Sequence, residues 1–129
     1  MLSRLMACLG VAAVALALAG CPSGTGGAGG SGSGTIKVGY YGDLTGPTAT
    51  FGTSTKEGIE LALEEVNANP PLGQKIEVIT EDDQGKSDQA VSAVEKLIQN
   101  DGVITVIGEV ASSNSLAAAP KCQDNKIPM

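Results

Sequence analysis

A short polar segment, ASSNS at 111–115, carries the residues best suited to holding a small ligand. Ser112, Ser113 and Ser115 supply hydroxyl groups, and Asn114 supplies an amide. An apolar run precedes the segment and an Ala-rich run follows it, which predicts a position where a buried strand ends and a helix begins. The unpaired N–H groups at such a helix end can hold a small anion, such as a carboxylate, without any charged side chain. Capping of the helix by one serine explains the same residues equally well.

A second candidate is Phe51, the only phenylalanine of the chain. It lies in the segment GPTATFG, residues 46–52, which we predict to be a loop after the first strand. Such a loop would lie at the edge of a parallel sheet where ligands bind, and an aromatic ring there can line a pocket. A ring at this position can equally be a lid over the core.

Other polar motifs fit catalysis and cofactor binding poorly. The chain has no histidine, which excludes a Ser-His or Cys-His nucleophile pair within it. The tripeptide GKS at 85–87 resembles the end of a phosphate-binding loop, but Thr80 stands where the first glycine belongs. Asp82 and Asp83 lack the alternating oxygen ligands of a calcium loop, so we interpret them as solvated or turn-stabilising acids. We therefore predict a protein that is not an enzyme and has no cofactor and no metal.

The charge balance argues against nucleic acid as a partner. The chain has 14 acidic residues against 8 basic ones, a net charge of −6, and aromatic residues make up only 2% of it. Nucleic acid is bound by basic faces and by aromatic stacking platforms, and this composition offers neither.

The elements that must position the two candidates alternate along the chain. In the first predicted helix the apolar residues Ile59, Ala62, Leu63 and Val66 recur at the spacing of one buried helix face. The predicted strands are 36–41, 75–80 and 103–107, and the predicted helices are 54–69, 87–100 and 116–124. This alternation predicts an α/β fold, an open parallel sheet with flanking helices on both faces, which binds ligands at the carboxyl ends of its strands. Residues 127–129 are predicted to start a fourth strand.

The N-terminal part is predicted to be an export signal and a tether. Residues 1–20 have a basic start, an apolar stretch too short to span a membrane, and small closing residues, as in a lipoprotein signal peptide. The sequence LAGC, ending at Cys21, resembles the lipobox of bacterial lipoproteins, which implies a lipidated Cys21; a plain secretory signal is the alternative. Residues 21–35 would then be the lipidated cysteine and a Gly/Ser-rich flexible tether. The remainder, 36–129, keeps one thiol, Cys122, and so cannot form an internal disulfide.

Several segments in a fixed order resemble one family. They include IKVGYYGDLTGPTATFG, KEGIELALEEVNA, VITVIGEVASSNSLAAAP and KIPM. In this order they resemble the N-terminal part of the branched-chain amino acid (Leu/Ile/Val) substrate-binding proteins of ABC transporters, which have the type I periplasmic binding protein fold. The resemblance covers essentially all of 36–129 and implies a partial N-terminal lobe, because family members have two lobes.

The resemblance also implies a site. Ser112 matches the serine that binds the carboxylate of an amino acid, with Ala111 lining the pocket and Ser113 nearby. Phe51 matches the aromatic residue that packs on the ligand side chain. Some members join the acidic turn after the second strand to the third-strand loop by a disulfide, and this sequence has no cysteine at either place. Cys122 is expected to be a buried small hydrophobe or to pair with a group absent from this chain.

The function implied is that of a lipid-anchored solute-binding protein of an ABC importer. Its partners would be an amino acid or small carboxylate, the permease subunits of the transporter, and a bacterial membrane through the acyl anchor. Its location would be the periplasm or the cell surface. The alternatives are a ligand-sensing receptor-type domain of the same fold and a truncated lipoprotein that binds nothing.

Overall fold

The computed structural model describes residues 34–70 and 73–129. The predicted signal, Cys21 and most of the tether lie outside the described residues. Within the described ranges, no helix combines the length and the apolar character that crossing a membrane requires.

Three parallel strands form the sheet, and a helix follows each strand. The strands are β1 (Ile36–Gly42), β2 (Ile76–Asp82) and β3 (Thr105–Ile107), in the spatial order β2-β1-β3. The helices are α1 (Ala49–Ala68), α2 (Ser87–Lys96) and α3 (Ser112–Asn125), and a π-helical turn, Leu97–Asp101, extends α2. The predicted open parallel sheet with flanking helices is confirmed.

Side chains alternate along each strand, so the two faces of the sheet lie toward different helices. Tyr41 of β1 and Val106 of β3 are buried in a core cluster with residues of α2 and α3. On the opposite face, Val38 of β1 lies toward α1, and with Ile59 and Leu63 of that helix it helps to line an apolar cavity of about 230 Å³. The predicted apolar face of α1 thus lies toward the sheet but is not buried as predicted, since Ile59 and Leu63 are half-buried and Ala62 and Val66 are exposed.

Several boundaries differ from the predictions, most of all at the helix starts. Helix α1 begins at Ala49 and not at residue 54, so Phe51 belongs to its first turn and the prediction of a loop there is wrong. Helix α3 begins at Ser112 and not at residue 116. Strand β2 continues to Asp82 because the end of β1 pairs with it, Gly42 lying opposite Asp82. The acidic turn is correspondingly shorter than predicted.

Residues 127–129, predicted to start a fourth strand, run beside β3 without forming a strand. The N–H of Val106 donates to the carbonyl of Pro128 at 2.9 Å, and the hydroxyl of Thr105 donates to the same oxygen at 3.0 Å. The end of the chain thus lies along the edge of β3 that β1 leaves open.

Candidate functional site

The candidate site lies where β1 and β3 end side by side. Because these strands are neighbours and parallel, the loop that follows β1 and the loop that follows β3 meet at the same edge of the sheet. Between them is a pocket of about 150 Å³ lined by Thr48, Phe51, Glu109, Val110 and Ala111. Two of the four predicted ligand-binding residues, Phe51 and Ala111, therefore line one pocket.

Asp43 shapes the first of these loops. Its side chain is fully buried and accepts hydrogen bonds from the N–H of Gly46 at 2.5 Å, the N–H of Thr48 at 2.7 Å and the hydroxyl of Thr48 at 2.6 Å. Burial acts to raise the pKa of Asp43, but the hydrogen bonds from Thr48 and Gly46 outweigh it and lower the pKa. The loop is therefore a fixed turn that delivers the chain into α1 directly after Thr48.

Close packing of Gly52 holds the start of α1 against this turn. A Cβ atom at Gly52 would lie 1.9 Å from the carbonyl oxygen of Asp43, so only glycine fits. The buried hydroxyl of Tyr40 donates to the carbonyl of Gly52 at 2.9 Å. These contacts place Phe51, the preceding residue, at the rim of the pocket with 62% of its surface exposed.

The start of α3 offers free donors beside the same pocket. Its N-cap residue is Ala111, and no side chain caps it, so capping by a serine does not explain the polar segment. The N–H groups of Asn114 and Ser115 donate to the carbonyl of Ala111 at 3.0 and 3.1 Å. The N–H groups of Ser112 and Ser113 find no acceptor among the described residues, and both side chains are exposed.

Ser112 and Ser113 do not line the pocket itself, although they follow Ala111, which does. The hydroxyl of Ser115 donates to the carbonyl of Glu109 at 2.8 Å. Asn114 is buried, and its side-chain oxygen accepts a hydrogen bond from the hydroxyl of Ser87 of α2 at 2.8 Å. The polar segment thus divides into two exposed donors and two residues that secure α3 to its neighbours.

Glu109 is a pocket residue that the sequence analysis missed. Only 9% of its surface is exposed, and its Oε2 accepts a hydrogen bond from the N–H of Ala111 at 2.6 Å. Sequence alone gave one signal, an acidic residue directly after a buried strand and its glycine, Gly108. Its burial depends on contacts that the sequence does not display.

Asp82 and Asp83 both accept hydrogen bonds from N–H groups of the turn after β2, which agrees with the turn-stabilising interpretation of the pair. Asp82 accepts hydrogen bonds from the N–H of Leu44 at 2.9 Å and from the hydroxyl of Thr45 at 2.6 Å, which ties the two loops of β1 and β2 together. Burial acts to raise the pKa of Asp82, but these donors and the N–H of Gln84 outweigh it and lower the pKa.

Asp83 differs from its neighbour because it is completely buried and poorly paired. Its Oδ1 accepts a hydrogen bond from the N–H of Gly85 at 2.9 Å, while its Oδ2 has no partner in the described part of the chain. Burial raises the pKa of Asp83, and the nearby charges of Glu109 and Asp43 raise it further. This acid occupies the loop in which a phosphate would have to sit, which agrees with the argument against a phosphate-binding loop there.

The described residues hold no group of three or more His, Cys, Asp or Glu side chains arranged to bind a metal ion. Cys122, a free thiol, is buried in the core cluster between α2, α3 and the sheet, and burial raises its pKa. It therefore packs as a small hydrophobe within the described ranges.

Comparison with known proteins places this fold in a family. A family model described as periplasmic binding protein matches residues 35–129. The chain is 34% identical over 95 residues to the Leu/Ile/Val-binding protein BraC3 of Rhizobium johnstonii, and 35% identical over 95 residues to the Leu/Ile/Val-binding protein of Escherichia coli K12. Each alignment covers 73% of this chain and 26% of the relative, so the chain spans about a quarter of the length of these proteins.

Solved structures agree with the sequence matches. The branched-chain amino acid transporter substrate-binding protein LivJ of Streptococcus pneumoniae, crystallised in complex with isoleucine, is similar with a TM-score of 0.71 and 30% identity, over 74% of this chain and 28% of LivJ. A leucine-binding protein, LivK, of Thermotoga maritima is similar with a TM-score of 0.68 and 36% identity, over 74% of this chain and 27% of LivK. The resemblance seen in the sequence is confirmed: the chain belongs to the periplasmic binding protein family and has part of its type I fold.

Proposed function

We propose that this chain is part of a solute-binding protein of an ABC importer, and that it binds a branched-chain or related amino acid through the carboxylate of that ligand. The relatives support this ligand class, since they are binding proteins for leucine, isoleucine and valine. The permease subunits of the importer would be its protein partners.

One observation carries the proposal: the unpaired start of α3 beside a pocket lined by an aromatic ring. The N–H groups of Ser112 and Ser113 have no acceptor among the described residues, and they lie at the positive end of a 14-residue helix. In the proposed complex, the N–H groups and hydroxyls of these serines bind the ligand carboxylate. Ala111 forms the adjoining wall, and Phe51 packs on the aliphatic side chain of the ligand.

We further propose that the protein is a lipoprotein of the periplasm or cell surface. The lipobox-like sequence ending at Cys21 and the glycine-rich residues after it support an acyl anchor and a tether. Fourteen tether residues would have an end-to-end distance of ~20 Å, enough to hold the binding domain clear of the lipid head groups.

The carboxylate role is tested with Ser112→Ala in a longer version of the protein that includes a second lobe, kept in solution with a mild detergent, because this chain alone is expected to show no measurable amino acid binding. Titration with L-leucine, followed by calorimetry and by amide NMR shifts, should show binding that the substitution weakens by about 1–3 kcal/mol, because a charged group loses its donor. Ser92→Ala is the matched control, since Ser92 is an exposed residue of α2 that bonds only the carbonyl of Asp88. Equal leucine affinity in S112A and S92A would overturn the proposed role of Ser112.

A further inference from the structure

We infer that Asp83 is a pH-sensitive switch that acts on the candidate site: as an uncharged acid it lets the turn after β2 pack against the turn after β1, and as a carboxylate it disturbs that contact. The turn after β2 is Asp83–Lys86, and the turn after β1 is Asp43–Thr48. The inference goes beyond the proposed function, since it does not depend on which ligand the pocket takes.

The side chain of Asp83 is poorly supplied with donors. It is completely buried, its Oδ1 accepts a hydrogen bond from the N–H of Gly85 at 2.9 Å, and its Oδ2 has no partner in the described part of the chain. A buried oxygen without a donor is costly when the group is charged and far less costly when it is neutral. Burial therefore favours the uncharged form of Asp83 and raises its pKa.

The charged groups around Asp83 act in the same direction. Its titratable neighbours come from three strands and the turns that follow them: Tyr40, Tyr41 and Asp43 from the first, Asp82 from the second, and Glu109 from the third. The three acids raise the pKa of Asp83 further, and burial raises the pKa of both tyrosines, which keeps them neutral. The cation of the same turn, Lys86, is exposed, and its Nζ donates to Oε1 of Gln84 at 3.1 Å. Ionisation of Asp83 would therefore add a charge among like charges.

The turns after β1 and β2 touch each other closely. A Cβ atom at Gly46 would lie 2.3 Å from the carbonyl oxygen of Gln84, and one at Gly85 would lie 2.7 Å from Oδ2 of Asp43, so each glycine leaves room for the other turn. A carboxylate at Asp83 would repel the ionised Asp43 across a contact that has no spare space.

The turn after β2 is the one expected to yield. Gln84 and Gly85 have positive φ angles of 55° and 68°, a left-handed backbone that is unfavourable for a residue with a side chain such as Gln84. Asp43, by contrast, is fixed by three hydrogen bonds, two of which come from Thr48, a residue that lines the pocket. Movement of the turn after β2 would therefore change the surroundings of the Asp43–Thr48 bonds at the pocket.

The direction of the pKa shift fixes the sign of the pH dependence. The pKa of Asp83 in the folded protein is above its ordinary value of 3.8, so the contact between the turns is intact at low pH and is weakened as the pH rises through the folded pKa. Asp43, whose pKa is below 3.8, is already ionised in that range.

The test is a pH titration of amide NMR shifts in the full chain, kept in solution with a mild detergent. The N–H of Gly85 reports on Asp83 and the N–H of Thr48 reports on Asp43, because each donates to that carboxyl group. Asp83→Asn keeps an oxygen that can accept from the N–H of Gly85 but cannot ionise. Asp124→Asn is the matched control, because Asp124 is an exposed aspartate of α3.

We expect the Gly85 signal of wild-type protein to titrate with a midpoint above 3.8, the ordinary pKa of an aspartate. The Thr48 signal should show this same transition, in addition to one below 3.8 from Asp43. Both signals should lose the upper transition in D83N and keep it in D124N.

Three results would overturn the inference. The first is a Gly85 midpoint at or below 3.8 in wild-type protein, a result that needs no variant to fold. The second is a Gly85 transition without a counterpart at Thr48, which would leave Asp83 without influence on the pocket. The third is an upper Thr48 transition that persists in D83N, which would assign it to another acid. None of these results depends on amino acid binding, which S112A tests separately.

Discussion

Two buried carboxylates near the candidate site have pKa values shifted in opposite directions because they accept different numbers of hydrogen bonds. Asp43 receives three hydrogen bonds from Gly46 and Thr48, and its pKa is lowered although it is fully buried. Asp83 receives one, from Gly85, and its pKa is raised. Burial favours the neutral form of both acids, and the local supply of N–H and O–H donors decides whether the pKa is lowered in spite of it.

The two aspartates should affect the pH dependence of stability in opposite directions. The pKa of Asp43 in the folded protein is below its ordinary value of 3.8, so its contribution to the free energy of unfolding is present above that pH and is lost as the pH falls through the folded pKa. We expect Asp43→Asn to lower the free energy of unfolding at pH 7 by about 1–3 kcal/mol, and to reduce the loss of stability on acidification.

Asp83→Asn is the control for this prediction. Because the pKa of Asp83 is raised above 3.8, its contribution is present below that pH and is lost as the pH rises through the folded pKa. The stability of D83N relative to wild type should therefore increase with pH, opposite to D43N. Urea unfolding across the acidic to neutral range measures both, and relative stabilities that change in the same direction would contradict the assignment.

At the scale of elements, the sequence predicts the order and type of the strands and helices well. Hydrophobic periodicity locates α1 through Ile59, Ala62, Leu63 and Val66, and these residues do face the sheet. The start of α1 is missed because residues 48–55 are small or β-branched apart from Phe51, a composition with low helix propensity. Tertiary contacts of Gly52 with Asp43 and Tyr40 override that local preference.

The sequence predicts the candidate site only in part: the open start of a helix, but not the pocket beside it. Polar residues at a strand-to-helix junction indicate an open helix N-terminus, which the start of α3 confirms. The pocket beside it depends on how two loops meet, so the burial of Glu109 could not be predicted from its neighbours in the sequence. The parts predicted correctly follow from periodicity, and the parts missed follow from contacts between distant segments.

Two glycines of α1 provide a test of this tertiary control. Gly52→Ala would place a Cβ atom 1.9 Å from the Asp43 carbonyl oxygen, and we expect a loss of about 1–3 kcal/mol or more as α1 shifts from the sheet. Gly58→Ala meets no atom within 4 Å and should stabilise the protein by about 0.8–1 kcal/mol through helix propensity. Urea unfolding compares the two, and a G52A variant as stable as G58A would refute the packing argument.

At the scale of the whole molecule, the charge balance bears on how the protein would attach to a membrane. The net charge of −6 gives the chain no general attraction to anionic lipid surfaces, which bind clusters of basic residues. The described residues contain no helix able to span a bilayer. In the proposed lipoprotein the attachment is made by acyl chains at Cys21, and two or more chains are needed for stable anchoring.

Cys21→Ser should accordingly move the protein from the membrane fraction to the soluble fraction when it is expressed in a bacterium that processes lipoproteins. Wild-type protein should resist a high-salt wash, because the burial of hydrocarbon does not depend on screening by salt, and it should enter the detergent phase on partitioning. Cys122→Ala is the control: Cys122 is buried in the core, so its removal leaves the acyl anchor in place and the protein in the membrane fraction. Equal membrane retention of C21S and C122A would overturn the lipid anchor and favour a plain secretory signal.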